Sequence, residues 1–214
     1  MASTVSSHRL AQHYDRLARY YDATLDHIER WLLADWRSWA AAHAGSRTLE
    51  IAIGTGRTLR YYPRDIMLVG VELSQGMLRR ADQRRHEGPR RTVLVRGDAQ
   101  ALPLRDESLD AVISILSLCT IPDERQALAE AYRVLRPGGR LVLVEHVRSP
   151  VRILAAVQRL IDPLIVRFAC DHLTREPLDL LPSLGFQVRA VDRRRLGIIE
   201  RVLAEKPSAG LGSR

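Results

Sequence analysis

The chain has 214 residues, 46% of them hydrophobic, which is enough for one well-packed core and too few for two ordinary domains. Its longest apolar stretches have the length of a strand, so we expect no membrane-spanning helix. The net charge is +8, but 32 of the 33 basic residues are dispersed arginines and only 5% of residues are aromatic, which argues against nucleic-acid binding.

Cysteine content and the N-terminal sequence bear on the compartment. Two cysteines, Cys119 and Cys170, are too few for a disulfide framework, and the first residues lack the basic-then-apolar order of a secretion signal. We therefore expect a cytoplasmic protein, either a monomer or a homodimer. The positive charge leaves peripheral contact with anionic lipid surfaces open.

Hydrophobic spacing predicts the secondary structure in chain order. Apolar residues at helical spacing from Leu10 onward predict two helices within 8–43. Short apolar runs predict strands at 47–53, 67–72, 92–97, 110–116, 140–147, 186–192 and 197–204. Further helices are predicted at 55–61, 75–86, 123–135, 151–168 and 175–184.

The alternation of strands and helices predicts the fold class. It indicates an α/β protein with a doubly wound, mostly parallel sheet that helices cover on both faces. The last two strands are close together in sequence, so we expect them to form an antiparallel hairpin at one edge. The Pro-Gly-Gly run at 137–139 is expected to stop the helix before its strand.

The first predicted strand ends in the glycine turn IAIGTG. In an open α/β sheet, ligands bind outside the carboxyl ends of the strands, so Gly54 and Gly56 lie where a ligand is expected. Glycine lets the backbone approach a ligand and adopt positive φ. A lone pair of glycines is also common for packing alone, so this turn does not by itself identify a ligand site.

Three acids accompany the turn. Glu50 lies in the first strand, Glu72 ends the second and Asp98 follows the third. Glu72 is placed to accept from the two hydroxyls of a ribose, and Asp98 from an exocyclic amine of adenine. Glu50, if buried, needs a partner, which a ligand ammonium or an arginine would supply. Each acid has a structural interpretation, but their shared position at successive strand ends favours a site.

Elimination narrows the class of ligand. No lysine stands near the turn, as a triphosphate loop requires, and Arg57 occupies the position of the third small residue of a dinucleotide motif. Acids around the cleft would also repel a pyrophosphate. A cation that carries ribose, adenine and an amino acid fits better, and S-adenosylmethionine is such a cation. A nicotinamide dehydrogenase stays as a disfavoured alternative.

Four motifs resemble class I S-adenosylmethionine-dependent methyltransferases from about residue 45 to the C-terminus. They are TLEIAIGTGRTL, VGVELSQGML, VRGDAQALPLRDESLDAVIS and ALAEAYRVLRPGGRLVLVEH. The resemblance implies a Rossmann-like seven-stranded sheet with a C-terminal antiparallel hairpin, and S-adenosylhomocysteine as the product. It implies that Glu72 binds the ribose, Asp98 the adenine amine and the Gly54–Gly56 turn the methionine. Ala52 departs from the family's usual first glycine, which we expect to alter packing rather than binding.

The cofactor site expected on this basis has thirteen residues. These are Tyr21, Glu50, Ala52, Gly54, Thr55, Gly56, Glu72, Leu73, Met77, Asp98, Ala99, Gln100 and Ser114. Residues 1–44 are expected to form a helical lid, 45–207 the methyltransferase domain and 208–214 a disordered tail. A module that binds the cofactor without turnover is the alternative of another class.

The acceptor is expected to be a small molecule. SLCTIPDERQALAEAYRVLRPGGRLVLVEHV, LIDPLI and CDHLTREPLDLLPSLGF look like the thiol methyltransferases of animal membranes and their bacterial relatives. YDRLARYYD is similar to bacterial phosphatidylethanolamine N-methyltransferases and quinone C-methyltransferases. A thiol is therefore the first expectation, with a lipid amine or a quinone carbon behind it. Residues expected to contact the acceptor are Tyr14, Cys119, Asp171 and His172.

His146 is the candidate catalytic residue. It lies near the end of the strand LVLVEH, where it is placed to accept a proton from the acceptor or to orient it, although a structural role for Glu145 and His146 is the alternative. No metal is expected, because Asp171 and His172 lack further ligands at suitable spacing. Thr174 is expected to cap the helix that follows.

The helix predicted at 151–168 carries an apolar face with arginines elsewhere. Such a helix can lie on a membrane surface. More often the apolar stripe packs on the sheet or forms a wall of the acceptor pocket, and we favour packing here.

Overall fold

The structure is a computed structural model that describes residues 6–23 and 35–208. The part of the predicted N-terminal helices at 24–34, and the predicted tail from residue 209 onward, lie outside the described residues. The described residues contain five α-helices of seven or more residues: α1 Ser7–Leu17, α2 Trp36–Ala42, α3 Gln75–Gln83, α4 Glu124–Val134 and α5 Arg152–Ala169. A short helix, α6, spans Pro177–Leu180.

The described residues form a seven-stranded sheet in the order β3-β2-β1-β4-β5-β7-β6. Its strands are β1 Arg47–Ile51, β2 Met67–Glu72, β3 Arg91–Arg96, β4 Leu109–Ile115, β5 Leu135–His146, β6 Gln187–Arg194 and β7 Ile199–Glu205. Strands β1 to β5 are parallel, and β7 runs antiparallel between β5 and β6. The predicted mostly parallel sheet with an antiparallel terminal hairpin is confirmed.

Side chains alternate between two cores, one on each face of the sheet. Leu49 and Ile51 of β1 pack in a core with α4, whereas the core on the other face contains Trp36 of α2 and Ile113 of β4. Polar side chains cap two of the helices. At the start of α3 the side chain of Ser74 accepts from the backbone N–H of Met77, and at the start of α4 the side chain of Asp123 accepts from that of Gln126. Helices therefore cover both faces, as predicted.

Several predicted boundaries are wrong. The helix expected at 55–61 is only a 3₁₀ turn, Leu59–Tyr61. Strand β5 begins at Leu135 rather than at residue 140, and the Pro-Gly-Gly run lies inside it, where its register against β4 shifts. The helix expected at 175–184 is split into α6 and a 3₁₀ turn, and Glu176, rather than Thr174, is at its N-cap.

Helix α5 is oriented differently from the expected packing. Its apolar stripe lies in solvent, while its inward face carries Ala155 and the polar Gln158. Within residues 6–23 and 35–208, no helix combines the length and hydropathy needed to cross a bilayer.

Candidate active site

A pocket of about 850 Å³, counted with the space open to solvent, lies at the carboxyl ends of β1, β2 and β4. From β1 the chain runs outward to β2 and β3, and it then crosses back to β4 on the other side of β1. The space between β1 and β4 is therefore the topological switch point of the sheet. Most of the residues predicted to bind a cofactor line it: Tyr21, Glu50, Ala52, Gly54, Thr55, Glu72, Leu73, Met77, Asp98 and Ala99. The predicted acceptor contact Tyr14 lines it as well.

Glu72 is held against the glycine turn. Its two carboxylate oxygens accept backbone N–H groups from Gly54 at 3.0 Å and from Ser74 at 2.8 Å. Burial raises the pKa of Glu72, and these backbone hydrogen bonds offset part of that effect. Each oxygen keeps lone-pair capacity for further donors from a ligand.

The glycine turn is open on one side. Gly54 has φ +60°, and a Cβ built on it would meet only the Ala52 carbonyl oxygen, at 3.9 Å. Gly56 has φ +77°, and a Cβ there would lie 2.8 Å from Leu59 Cδ1. Gly54 therefore leaves room at the pocket, whereas Gly56, predicted as a cofactor contact, does not line the pocket and instead allows close packing.

Glu50 is buried, 2% exposed, and accepts a hydrogen bond from the Tyr62 hydroxyl at 3.0 Å. Burial raises its pKa to about 7, against the lowering effects of Arg37 and of hydrogen bonds from Thr58 and Tyr62. Arg37 is therefore the arginine partner that the structural interpretation of Glu50 requires. Both Glu50 and Arg37 also line the pocket.

Asp98 also lines the pocket, and its carboxylate is already hydrogen-bonded. The Ser7 hydroxyl donates to its Oδ2 at 2.7 Å, and the Gln100 amide also donates to it. Burial alone would raise the pKa of Asp98, but the hydrogen bonds from Gln100 and Ser7 outweigh burial and lower it. Gln100, predicted as a direct contact, does not line the pocket but orients Asp98.

Helix α1 and the residues after it contact the pocket wall at three places. Besides the Ser7 contact, Asp15 accepts from the Ser74 hydroxyl at 2.6 Å and from the Gly76 N–H at 2.7 Å. Asp22 accepts from the Thr55 hydroxyl at 2.7 Å and from Arg84 at 2.7 Å. The sequence alone did not predict Asp15 and Asp22, because their partners are about 30 to 60 residues away.

Ser114 is the third predicted cofactor contact that does not line the pocket, after Gly56 and Gln100. Its hydroxyl donates to Glu145 Oε1 at 2.6 Å. Glu145 also accepts from the N–H of Ser117 and of Leu118, and burial raises its pKa to about 7. This buried carboxylate holds the loop after β4, and Ser117 of that loop lines the pocket.

The predicted catalytic residue His146 lies in a second polar cluster beside the pocket. Its Nε2 is 3.0 Å from Asp171 Oδ1, so the ring donates this proton to the carboxylate. Its Nδ1 is buried and has no hydrogen-bond partner in the described chain. Asp171 also accepts a hydrogen bond from the Cys119 thiol.

The fold assembles a ligand set that sequence spacing did not show. Potential ligand atoms of Cys119, His146 and Asp171 all lie within 4.8 Å of one another. Cys119 and His146 each hydrogen-bond to Asp171, which brings the three side chains together. His172, which we expected to contact the acceptor, does not join them: its backbone N–H donates to the Cys119 carbonyl at 3.0 Å, and its ring faces Asp162.

The cluster is connected to the pocket through Tyr14. This tyrosine lines the pocket. Cys119, Asp171 and Glu72 are close enough for their negative charges to disfavour ionisation of its hydroxyl. Burial first, and then these neighbours together with Tyr21, raise the pKa of Tyr14 well above its usual value. Cys119, Asp171, His172 and His146 are not in the pocket wall itself. The pocket wall also includes residues that were not predicted from the sequence, among them Leu10, Arg37, Arg57, Ser117 and Thr120.

The sheet order and the crevice at its switch point define an α/β protein of the doubly wound class. Residues 49–143 match the family model described as a methyltransferase domain. A phosphatidylethanolamine N-methyltransferase of Cereibacter sphaeroides is 32% identical over 64% of this chain and 75% of its own length. The chain therefore belongs to the class I S-adenosylmethionine-dependent methyltransferase family.

The chain is also similar to a second curated relative and to a solved structure. A ubiquinone/menaquinone biosynthesis C-methyltransferase of Syntrophotalea carbinolica is 37% identical over 71% of this chain, but the match spans only 64% of that relative. The crystal structure of the [4+2]-cyclase SpnF has a TM-score of 0.77 and 18% identity, and the match covers 97% of this chain and 99% of that one. Similarity at that level shows the fold alone, and one fold hosts several chemistries.

Proposed function

We propose that this protein transfers a methyl group from S-adenosylmethionine to an acceptor that resides in a membrane, either the ring of a quinol or the amine of phosphatidylethanolamine. The observation that carries the cofactor assignment is the alignment of Glu50, Glu72 and Asp98 along one crevice. Three carboxylates suit a cationic ligand with ribose and adenine amine donors, and they disfavour a pyrophosphate.

Each part of the cofactor has a proposed partner. Glu72 accepts from the ribose hydroxyls, and Asp98 accepts from the adenine amine. The methionine end lies over the Gly54 turn, near Glu50. The Ser7 hydroxyl now occupies one of the acceptor positions of Asp98, so we expect cofactor binding to replace that contact.

The N-terminal segment is proposed to act as a lid, with residues 45–207 as the methyltransferase domain. The lid contacts come from Ser7, Asp15 and Asp22, which bind three different parts of the pocket rim. The N-terminal group of each contact is exposed or half-buried, whereas Thr55 and Ser74 on the rim are buried. Leu10, Ala11 and Ala18 of the same segment are buried as well, so opening the lid would also expose apolar surface.

The proposal of a lipid acceptor comes from the names of the relatives. Those named above act, by name, on a quinone precursor or on phosphatidylethanolamine, so these acceptors stand ahead of the small thiol that we expected first from the sequence. The match spans less than two thirds of the quinone-methylating relative. A small thiol is therefore kept as one of the acceptors in the experiment that tests this proposal.

His146 is proposed as the base. During transfer the S–CH₃ bond breaks, its electrons stay on sulfur, a bond forms to the acceptor atom, and one proton is released. His146 donates its Nε2 proton to Asp171, which leaves Nδ1 unpaired. We propose that the released proton ends on Nδ1 after passing the pocket wall, in which His146 itself does not lie. Most of the rate enhancement is expected from positioning of donor and acceptor in line.

The test is methyl transfer from labelled S-adenosylmethionine to three acceptors in parallel: a demethylated quinol in detergent micelles, phosphatidylethanolamine vesicles and a small aryl thiol. Label on the quinol or the lipid supports the proposal. Label on the thiol alone would replace the lipid acceptor by the thiol. Binding of S-adenosylhomocysteine without transfer to any of the three would assign the chain to the non-enzymatic class instead.

A further inference from the structure

Helix α5 presents an apolar stripe to solvent. The large side chains on this stripe recur every three or four positions: Ile153, Val157, Leu160, Ile161, Leu164 and Phe168. Ile153 and Leu160 are 80% and 81% exposed, and Phe168 is 66% exposed. A contiguous apolar patch on a polar surface marks an interaction site rather than an ordinary surface.

The opposite face of α5 is fixed to the body of the protein by polar contacts. The Gln158 side chain accepts from the Ser149 N–H at 2.8 Å and donates to the Val147 carbonyl at 3.0 Å. Asp162 accepts from the Leu173 N–H at 2.6 Å. Rotation that would bury the stripe would break all of these buried contacts, so the stripe is a fixed outward surface.

The exposed charges of α5 have one sign. Arg152, Arg159 and Arg167 are exposed on α5 beside the stripe, and in residues 6–23 and 35–208 no carboxylate pairs with any of them. Asp162, the one acid of α5, points inward with its side chain 18% exposed. A helix that exposes apolar residues and arginines without acids complements an anionic lipid surface.

Helix α5 itself lies next to the candidate active site. Val166 near the end of α5 packs against the cluster formed by Leu10, Tyr14 and Cys170. Leu10 and Tyr14 are wall residues of the pocket. A surface that binds the stripe would thus lie beside the segment that covers the pocket.

We propose that α5 is an interfacial helix that docks the protein on anionic bilayers, with its stripe among the acyl chains and its arginines at the phosphates. The inference goes beyond the proposed function, because docking requires neither cofactor nor acceptor. It would also hold the protein at the membrane in which the proposed acceptor resides.

The experiment is cosedimentation of the full chain with vesicles of phosphatidylcholine, with and without phosphatidylglycerol, in the absence of cofactor. The test variant is Leu160→Gln with Leu164→Gln, and the matched control is Met67→Gln with Val93→Gln, two exposed apolar residues on strands β2 and β3. We expect binding that requires phosphatidylglycerol, falls about tenfold or more in the test variant and is unchanged in the control.

A charge test accompanies it. Arg152→Glu with Arg159→Glu is expected to weaken binding by at least about fivefold at low salt, while Arg91→Glu with Arg105→Glu is not. Thermal unfolding and S-adenosylhomocysteine binding of every variant establish that each is folded. The inference is overturned by three outcomes: no vesicle binding by the unaltered protein, equal loss in the control variants, or concentration-dependent self-association through the stripe without vesicle binding. Methyl transfer to a micellar quinol would survive any of these, so failure of docking is distinct from failure of the proposed function.

Discussion

His146 Nε2 lies 3.0 Å from Asp171 Oδ1 although 25 residues separate the two along the chain. Burial would lower the pKa of His146, but the hydrogen bond and the charge of Asp171 outweigh it, and the pKa is raised. The same interaction lowers the pKa of Asp171 against the effect of burial. The pair therefore attracts most strongly when the imidazole is protonated and the carboxylate is ionised.

The first prediction concerns the pH dependence of methyl transfer. A base must be neutral, so the rate is expected to rise with pH through the pKa of His146, above about 6.5. Asp171→Asn removes the carboxylate that raises this pKa, so the midpoint of the rate profile shifts to lower pH. The measurement is kcat against pH for both proteins. An identical midpoint, with His146→Gln retaining full activity, would remove His146 from the chemistry.

The second prediction concerns stability, and the same pair sets its sign. Because the pKa of His146 is raised on folding, its protonation stabilises the fold fully below about pH 6.5, and this stabilisation is lost as the pH rises through the folded pKa. Because the pKa of Asp171 is lowered, its ionisation stabilises the fold above about pH 4. Asp171→Asn should therefore reduce the free energy of unfolding by about 1.5–3 kcal/mol near pH 5.5, and by less near pH 9. Urea unfolding at both values measures this. A loss that is equal at the two values would mean that Asp171 acts by packing.

The third prediction concerns the cofactor. Glu72→Ala is expected to weaken S-adenosylhomocysteine binding by at least about tenfold, because two ribose donors lose a charged acceptor and the glycine turn loses its support. Calorimetric titration gives the affinity. Asp65→Asn, an exposed acid outside the pocket, is the matched control and should bind normally. Normal binding by Glu72→Ala would place the ribose elsewhere.

The fourth prediction concerns metal. The Cys119 thiol and the His146 ring both donate to Asp171, and an ion would have to displace both hydrogen bonds. Treatment with a strong chelator should leave the thermal midpoint and methyl transfer unchanged, and elemental analysis should find substoichiometric zinc. One zinc per chain, lost in Cys119→Ser, would contradict this and make the cluster a metal site.

The sequence predicted what depends on local order. Strand and helix alternation, the terminal hairpin and the acids at strand ends follow from periodicity and position, and Glu72 and Asp98 do line the pocket. Contacts between distant elements leave no periodic signal, so the meeting of Cys119, His146 and Asp171 was not predictable. The stripe of α5 has the same period whether it packs or lies in solvent. Only the polar contacts of Gln158 and Asp162 decide its direction.

The last prediction uses the residue at which this chain departs from the family. Ala52 has φ +49°, a left-handed conformation that costs a residue with a Cβ about 1–2 kcal/mol. A glycine at this position avoids that strain, but it lowers the free energy of unfolding by about 0.4–1 kcal/mol because its unfolded chain has more conformational entropy. Ala52→Gly should therefore raise the free energy of unfolding by about 0.5–1 kcal/mol, with cofactor affinity unchanged or higher. Gly54→Ala, at φ +60°, is the reciprocal variant and should lower both. Chemical denaturation and S-adenosylhomocysteine titration of the two variants measure these effects. A less stable Ala52→Gly would mean that the Ala52 methyl group packs favourably enough to exceed its backbone strain.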